Sequence, residues 1–532
     1  MKKRWLQGAI LCGLAAVLVA GIAYALSGHT PPISMNRPAG RPPRIRPDYD
    51  GAVIPPNIAP LNFLVEEPGR RYVAVIRAEE GPEVCVWSRS GRIQIPQRQW
   101  RSLLAANRGR RIAFDVYVQP ARGAWERFDA FEVAVAREDV DGYLVYRLLD
   151  AGFNLFGRMG IYEREMGTFR ERAILESNSW GEGCMNCHTF LNGSPDKMVL
   201  HLRSGARGYG SGMLLIEHGA MQKIDTKTRS GPGLACYASW HPSGKLLAFS
   251  MNKVRQFFHS ARAEVRDVLD LESDLVVYMV DSNEFTSTRR IAEPDRLETY
   301  PSWSPDGRYL YFCSAPVLWS DRDHVPPEGY DRVRYDLMRI AYDVQSGRWG
   351  EMETVLSGKE TGLSITLPRV SPDGRFVLFC MSQYGCFTIF QPSADLYMMD
   401  LKTGRYERLP INSDRAETWH SWSSNGRWFV FSSKRLNGLV ARPYLAYVDE
   451  EGQVRKPFLL PQEDPTFYDG FLKTYNLPEL VPEPVPVHGE AIERVIRSAP
   501  WLKAEVPVSG ATPAARAGEG PAPAAEPWQT RE

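Results

Sequence analysis

The chain has 532 residues, 43% of them hydrophobic, and carries 64 basic against 63 acidic side chains for a net charge of +1. That balance excludes a protein held to nucleic acid or to an anionic membrane by bulk charge. The apolar content is that of a globular chain with a real core, long enough for two or three domains.

The first segment, 1–27, reads as an export signal or signal anchor. Met1-Lys2-Lys3-Arg4 supply a basic start, 8–25 is an apolar run, and Ala23-Tyr24-Ala25 offers cleavage after Ala25. Left uncleaved, the run is nearly long enough to span a bilayer, and the charges before it send the rest of the chain across. The expected location is therefore periplasmic or otherwise extracytoplasmic, with an inner-membrane anchor through 8–25 if the signal is kept. A Pro/Arg-rich linker occupies 28–50. In 51–170 the runs 71–77, 111–118 and 130–135 alternate like half-buried strands and predict a small β-sandwich-like domain.

Within 171–197 stands Cys184-Met185-Asn186-Cys187-His188, the pattern C-x-x-C-H. Two thiols at this spacing can each add to a vinyl group on one porphyrin edge, and the adjacent imidazole then ligates the iron. The motif predicts one covalent haem c on Cys184 and Cys187, with His188 as the proximal ligand. A zinc site would need a further ligand pair, and no second C-x-x-C or H-x-x-x-H completes one. A thioredoxin-like motif would open a helix, which Thr189-Phe190-Leu191-Asn192-Gly193 does not suggest. Export agrees with haem, because c-type haem is generally attached outside the cytoplasmic membrane. The segment is too short to wrap a porphyrin alone, so its neighbours must cover the group, at the junction between the N-terminal domain and the C-terminal half of the chain.

The next region, 198–462, is built on a repeat. Ser239-Trp240-His241-Pro242-Ser243-Gly244, Ser302-Trp303-Ser304-Pro305-Asp306-Gly307, Arg369-Val370-Ser371-Pro372-Asp373-Gly374 and Ser421-Trp422-Ser423-Ser424-Asn425-Gly426 each lead into an aromatic-aliphatic strand. Pro presets the turn where present, and Gly supplies the positive φ that closes the hairpin. A second strand comes after each, as in Asp336-Leu337-Met338-Arg339-Ile340. Two hairpins per repeat make a four-stranded blade, so the expected fold class is all-β, a β-propeller. The repeat resembles the WD40-like repeat of TolB-type propellers. Four copies are plain, 198–228 offers a fifth, and the expectation is five or six blades. The stretch 184–462 also resembles exported bacterial proteins in which a TolB-like propeller carries a single C-x-x-C-H before its first blade. The residues 463–508 read as a C-terminal extension, and 509–532, rich in Ala, Pro and Gly, as a disordered tail.

For the second axial ligand, His201 leads on position after the motif, and the resemblance implies a histidine there. Met198, His259, His420 and an open position remain alternatives. His420 stands where Ala238, Pro301 and Pro368 stand in the other repeats. Cys313 and Cys380 suit small buried strand positions, Cys380 and Cys386 could pair, Cys85 and Cys236 carry no readable role, and Cys12 lies in the signal. No G-x-S-x-G, H-E-x-x-H, Walker or Rossmann pattern is present.

The leading expectation is an exported mono-haem cytochrome that exchanges single electrons with redox partner proteins. It is more an electron carrier than an enzyme. The alternatives are a haem-dependent enzyme or small-molecule sensor with an open iron position, and a TolB-like protein-interaction module with a structural haem.

Overall fold

The computed structural model describes residues 36–505 apart from 152–157, 204, 206–207, 227–233, 263 and 322–323. The signal 1–27, Cys12 and the tail 509–532 lie outside the described residues, as does 28–35 of the linker. Among the described residues no helix is long and apolar enough to cross a membrane.

The chain divides into two compact units. The first comprises 1–51, 60–135 and 463–466. Its main sheet is built round the strands Arg71–Ala78 and Arg111–Gln119, paired antiparallel from Arg71↔Gln119 to Ala78↔Ile112. Strand alternation sends Val73, Val75 and Tyr117 to one face and Phe114 to the other. Phe114 stacks on Phe131 at 4.6 Å and meets Phe63 of a small three-stranded sheet edge-on at 6.1 Å. A helix, Gln97–Ala106, lays Trp100, Leu103 and Leu104 inward, the i, i+3, i+4 stripe of an amphipathic helix. The strands and the small sheet match the expected layering; the helix was not read from the sequence.

The second unit comprises 52–59, 136–462 and 467–532. It holds six antiparallel-built sheets in succession. Four of them begin with the inner strands Leu234–Trp240, Arg296–Trp303, Ser364–Val370 and Glu417–Trp422, and these are the four repeats. A fifth runs Cys184–Leu191, Ser194–Arg203, Gly212–Glu217, Ala220–Asp225, with Trp501–Lys503 added in parallel at its edge. The sixth orders Glu171–Glu176, Gly160–Glu165, Tyr143–Asp150 and then Lys473–Val481, a strand returning from the C-terminal end.

The inner strands form a closed circuit. Cys184–Leu191 touches Leu234–Trp240, and contact passes in turn to Arg296–Trp303, Ser364–Val370, Glu417–Trp422 and Lys473–Val481. That last strand touches Cys184–Leu191 again. A ring of radially repeated antiparallel sheets is a β-propeller, which protects its strand edges by closing on itself.

Three boundaries expected from the sequence move as a result. The strands between 143 and 176 are not the end of the N-terminal domain; they are three quarters of a propeller sheet. The C-x-x-C-H segment is not a separate piece before the propeller; it is an inner strand of the ring. Part of the C-terminal extension, Lys473–Val481, pairs with Tyr143–Asp150 from Tyr143↔Val481 to Asp150↔Lys473. The physical reason is common to all three. The first sheet has no inner strand of its own in sequence order, and a strand from the far end supplies it, so the closure leaves no local signature.

Candidate functional site

Each inner strand carries the same local defect. Cys187, Tyr237, Tyr300, Leu367, Trp419 and Leu477 all adopt positive φ, between 40° and 56°. At each of these places the ladder slips, for example between Cys236↔Ser250 and Ser239↔Ala248. An extra residue in one strand is a β-bulge, which bends the strand and re-aims a side chain. For residues other than glycine this conformation costs on the order of 1 kcal/mol or more, so six copies at one place mark a structural requirement. All six residues line one cavity at the centre of the ring.

The bulge aligns the six strands residue by residue. The position after the left-handed residue is His188, Ala238, Pro301, Pro368, His420 and Pro478. Proline is tolerated there because the bulged step lies off the regular ladder and its missing N–H is not needed. Four of the six positions thus hold a side chain with no polar atom, and two hold histidine. His420 is accounted for: its Nε2 lies 3.0 Å from the Leu378 carbonyl and its Nδ1 3.8 Å from the Cys380 thiol.

His188 is not accounted for. Its side chain is buried at 2% exposure, yet neither ring nitrogen has a hydrogen-bond partner among the described residues. The Val145 carbonyl approaches it without closing a bond of normal geometry. Burial, with the Arg147 guanidinium adding to it, pulls its pKa down to about 3, so the ring is neutral at physiological pH. A neutral imidazole with a free nitrogen is a metal ligand in waiting. An unpartnered buried polar group costs about 1–3 kcal/mol, which something else must offset.

The neighbouring cysteines are free thiols, Cys187 buried and Cys184 half-buried. Burial raises the Cys187 pKa, partly countered by Arg147. Gly205 packs tightly on the segment before Cys184: a Cβ there would stand 2.3 Å from the Gly181 carbonyl oxygen and 2.4 Å from the Gly183 nitrogen. The donor set of two unpaired thiols and one unpartnered imidazole fits a covalently attached haem. The central cavity itself offers about 20 Å³ to the centre of a water-sized sphere, room for a water molecule and far too little for a porphyrin.

His201 does not join His188. In register, Asn186 faces His201 while His188 faces Leu200, and adjacent residues of a strand point to opposite sides. His188 packs edge-on to Phe190 at 6.0 Å, on the side of Met198 and Leu200. His201 lies on the other side, 6.3 Å from Phe249 of the next sheet. It too is buried with both ring nitrogens unpartnered, and burial lowers its pKa to about 4. Met198 shares the His188 side but is packed in the apolar cluster with Phe190 and Leu200. His259 bonds Asp267 at 3.2 Å on the long hairpin of Leu246–Phe258 and Arg266–Met279.

The remaining cysteines are also free. Cys386 does not pair with Cys380; its thiol lies 3.4 Å from Asp270 Oδ2. Asp270 is fully buried, accepts from Asn252 Nδ2 at 2.7 Å and leaves Oδ1 unpartnered, and burial raises its pKa to about 7. Glu479, on the closing strand, is pushed up to about 7 by burial as well. Sequence reasoning also missed Arg147. Its guanidinium donates to the Met185 carbonyl at 3.1 Å, to Asn186 Oδ1, and to Asn476 Oδ1 at 2.6 Å. It thereby ties the first sheet, its closing strand and the cysteine strand together.

No family model matches the chain, and no curated protein matches it. Among solved structures it is similar to TolB from Acinetobacter baumannii, at 14% identity and a TM-score of 0.41, covering 73% of this chain and 86% of that one. It is also similar to an oligogalacturonate lyase in complex with manganese, at 13% identity and TM-score 0.33, over 59% and 73% of the two chains. The β-propeller domain of the Trilobed protease from Pyrococcus furiosus matches at 10% identity and TM-score 0.32, over 66% and 82%. At these scores the likenesses carry no statement about activity, and the propeller assignment stands on the closed circuit of inner strands.

Proposed function

We propose that this protein is an exported mono-haem c-type cytochrome with a six-bladed, TolB-like propeller, in which Cys184 and Cys187 bind haem and His188 is the proximal ligand. The observation that carries the reading is the His188 ring, buried with both nitrogens unpartnered beside two free thiols, at a repeat position otherwise held by Ala or Pro save for the partnered His420. The six blades are the six sheets, closed by the strand Lys473–Val481. When bound, haem c supplies reversible one-electron chemistry at its iron, with a potential set by axial ligation and burial.

The chain's own residues then have distinct tasks. The bulge at Cys187 turns the strand so that thiol and imidazole succeed one another out of the regular ladder. Arg147 fixes Asn186, and with it the register of the motif, against the closing strand. The apolar side chains Phe190, Met198 and Leu200 exclude water from one side of the imidazole. Export to an extracytoplasmic location, with redox partner proteins there, belongs to the same proposal and rests on the N-terminal segment.

A second reading, an enzyme or sensor with an open iron position, is favoured by one observation: His201 lies on the opposite side of its sheet from His188. The absorption spectrum of the purified protein tests both. A covalent haem with a low-spin six-coordinate spectrum is expected for the carrier. A high-spin five-coordinate spectrum that shifts with carbon monoxide or nitrite moves the assignment to the second reading, and no covalent haem overturns both.

A further inference from the structure

Two buried cations flank the attachment cysteines, and neither has an acidic partner. Arg203 stands opposite Cys184 in the ladder, and the charges felt by its guanidinium are those of Cys184, Cys236, Cys187 and Tyr237. Arg147, 9% exposed, has Cys187 and Cys184 as the nearest groups able to carry negative charge, with Arg203 a repelling neighbour. Among the described residues neither guanidinium forms an ion pair, and the Nε of each is buried without a hydrogen-bond partner. Arg147 spends its Nη groups on neutral amide and carbonyl oxygens. Arg203 makes no hydrogen bond through its side chain among the described residues. Burying two like charges near each other without an anion is strongly unfavourable, and planar guanidinium forks match carboxylates in geometry.

Resting on the haem assignment above, we propose that Arg203, backed by the fixed Arg147, pairs with a propionate carboxylate of the haem carried by Cys184 and Cys187. Arg203 is then a positioning and potential-setting residue rather than a ligand of the iron. Its positive charge favours the reduced haem, and its ion pair keeps that propionate ionised to low pH.

The test uses the full-length haem-loaded protein and the variants Arg203→Leu and Arg203→Lys, with haem stoichiometry and midpoint potential measured from pH 5 to 9. Arg203→Leu is expected to keep one covalent haem per chain while its potential falls. It should also gain a pH-dependent segment that the unaltered protein lacks, as an unpaired propionate titrates. Arg203→Lys restores most of the potential and flattens the profile. Potentials and pH profiles identical in all three proteins overturn the inference while leaving the haem assignment intact, whereas absence of covalent haem from the unaltered protein overturns that assignment itself. As a further arm, succinate is titrated into the haem-free Cys184→Ala/Cys187→Ala chain with and without Arg203→Leu. Saturable binding that depends on Arg203 in that chain, together with unchanged potentials, assigns a free dicarboxylate and overturns the propionate role.

Discussion

His188 and His420 occupy the same position of the repeat, so they can be compared in one experiment. His420 makes a 3.0 Å contact to the Leu378 carbonyl and a 3.8 Å contact to the Cys380 thiol. Replacing it with Leu removes one hydrogen bond and leaves a buried carbonyl unsatisfied, a loss of about 1–3 kcal/mol. His188 makes no such bond. Replacing it with Leu, in protein produced without haem attachment, removes an unpartnered polar group and adds an apolar one beside Phe190. That change is expected to be neutral or to stabilise by about 1–2 kcal/mol. The two variants should therefore differ by about 2–4 kcal/mol in urea unfolding at pH 7.5, with opposite signs relative to the unaltered chain. If His188→Leu destabilises as much as His420→Leu, His188 is a structural histidine with a partner, and the argument for a ligand role fails.

Three further outcomes are expected. In haem-free protein, burial depresses the pKa of His201 to about 4, so its contribution to stability is complete above about pH 6.5 and is lost as pH falls towards 4. His201→Phe should gain on the unaltered chain by about 1.4 kcal/mol per pH unit below 6.5, and an unfolding difference that stays constant with pH contradicts this. Asp270 has the opposite sign: burial raises it to about 7, so its ionisation weakens the fold as pH rises from about 4 to 7. The stability advantage of Asp270→Asn at pH 8 should therefore shrink by about 3 kcal/mol at pH 5, measured by denaturant titration at both values. Truncation after residue 472 removes the strand that pairs with Tyr143–Asp150 and exposes its edge to other chains. The truncated protein is expected to lose its single cooperative transition and to self-associate in sedimentation, and an unchanged monomeric transition would remove the closing role of that strand.

The legible parts of the molecule are those whose physics is local. The four turns at Gly244, Gly307, Gly374 and Gly426 each need positive φ, between 67° and 73°, with a proline, aspartate or asparagine close before the glycine, so four sheets could be read directly. The sheet of Cys184–Leu191 closes its first hairpin with Asn192-Gly193, both at positive φ. That dipeptide between two apolar runs is a strong hairpin signal, and it would have placed the cysteine motif inside a blade. The closing strand Lys473–Val481 has no such turn. Its only mark is Leu477-Pro478, which matches Leu367-Pro368 at the bulge, and its partner Tyr143–Asp150 is too distant in sequence for the pairing to leave a signal nearby. Cys184, Cys187 and His188 were visible because covalent chemistry demands fixed spacing. The side on which His201 falls depends on a one-residue slip at Cys187, and such a slip decides which face a side chain takes. Arg147 and Arg203 gain meaning only from the absence of a carboxylate around them in the folded chain.

The central claim is that Cys184, Cys187 and His188 carry haem. Mass spectrometry of the chain purified from an extracytoplasmic compartment with haem-attachment machinery tests this most directly. The expected result is one haem per chain, retained after denaturation and located on the peptide containing both Cys184 and Cys187. The same peptide recovered with two free thiols, or with a Cys184–Cys187 disulfide, would contradict it.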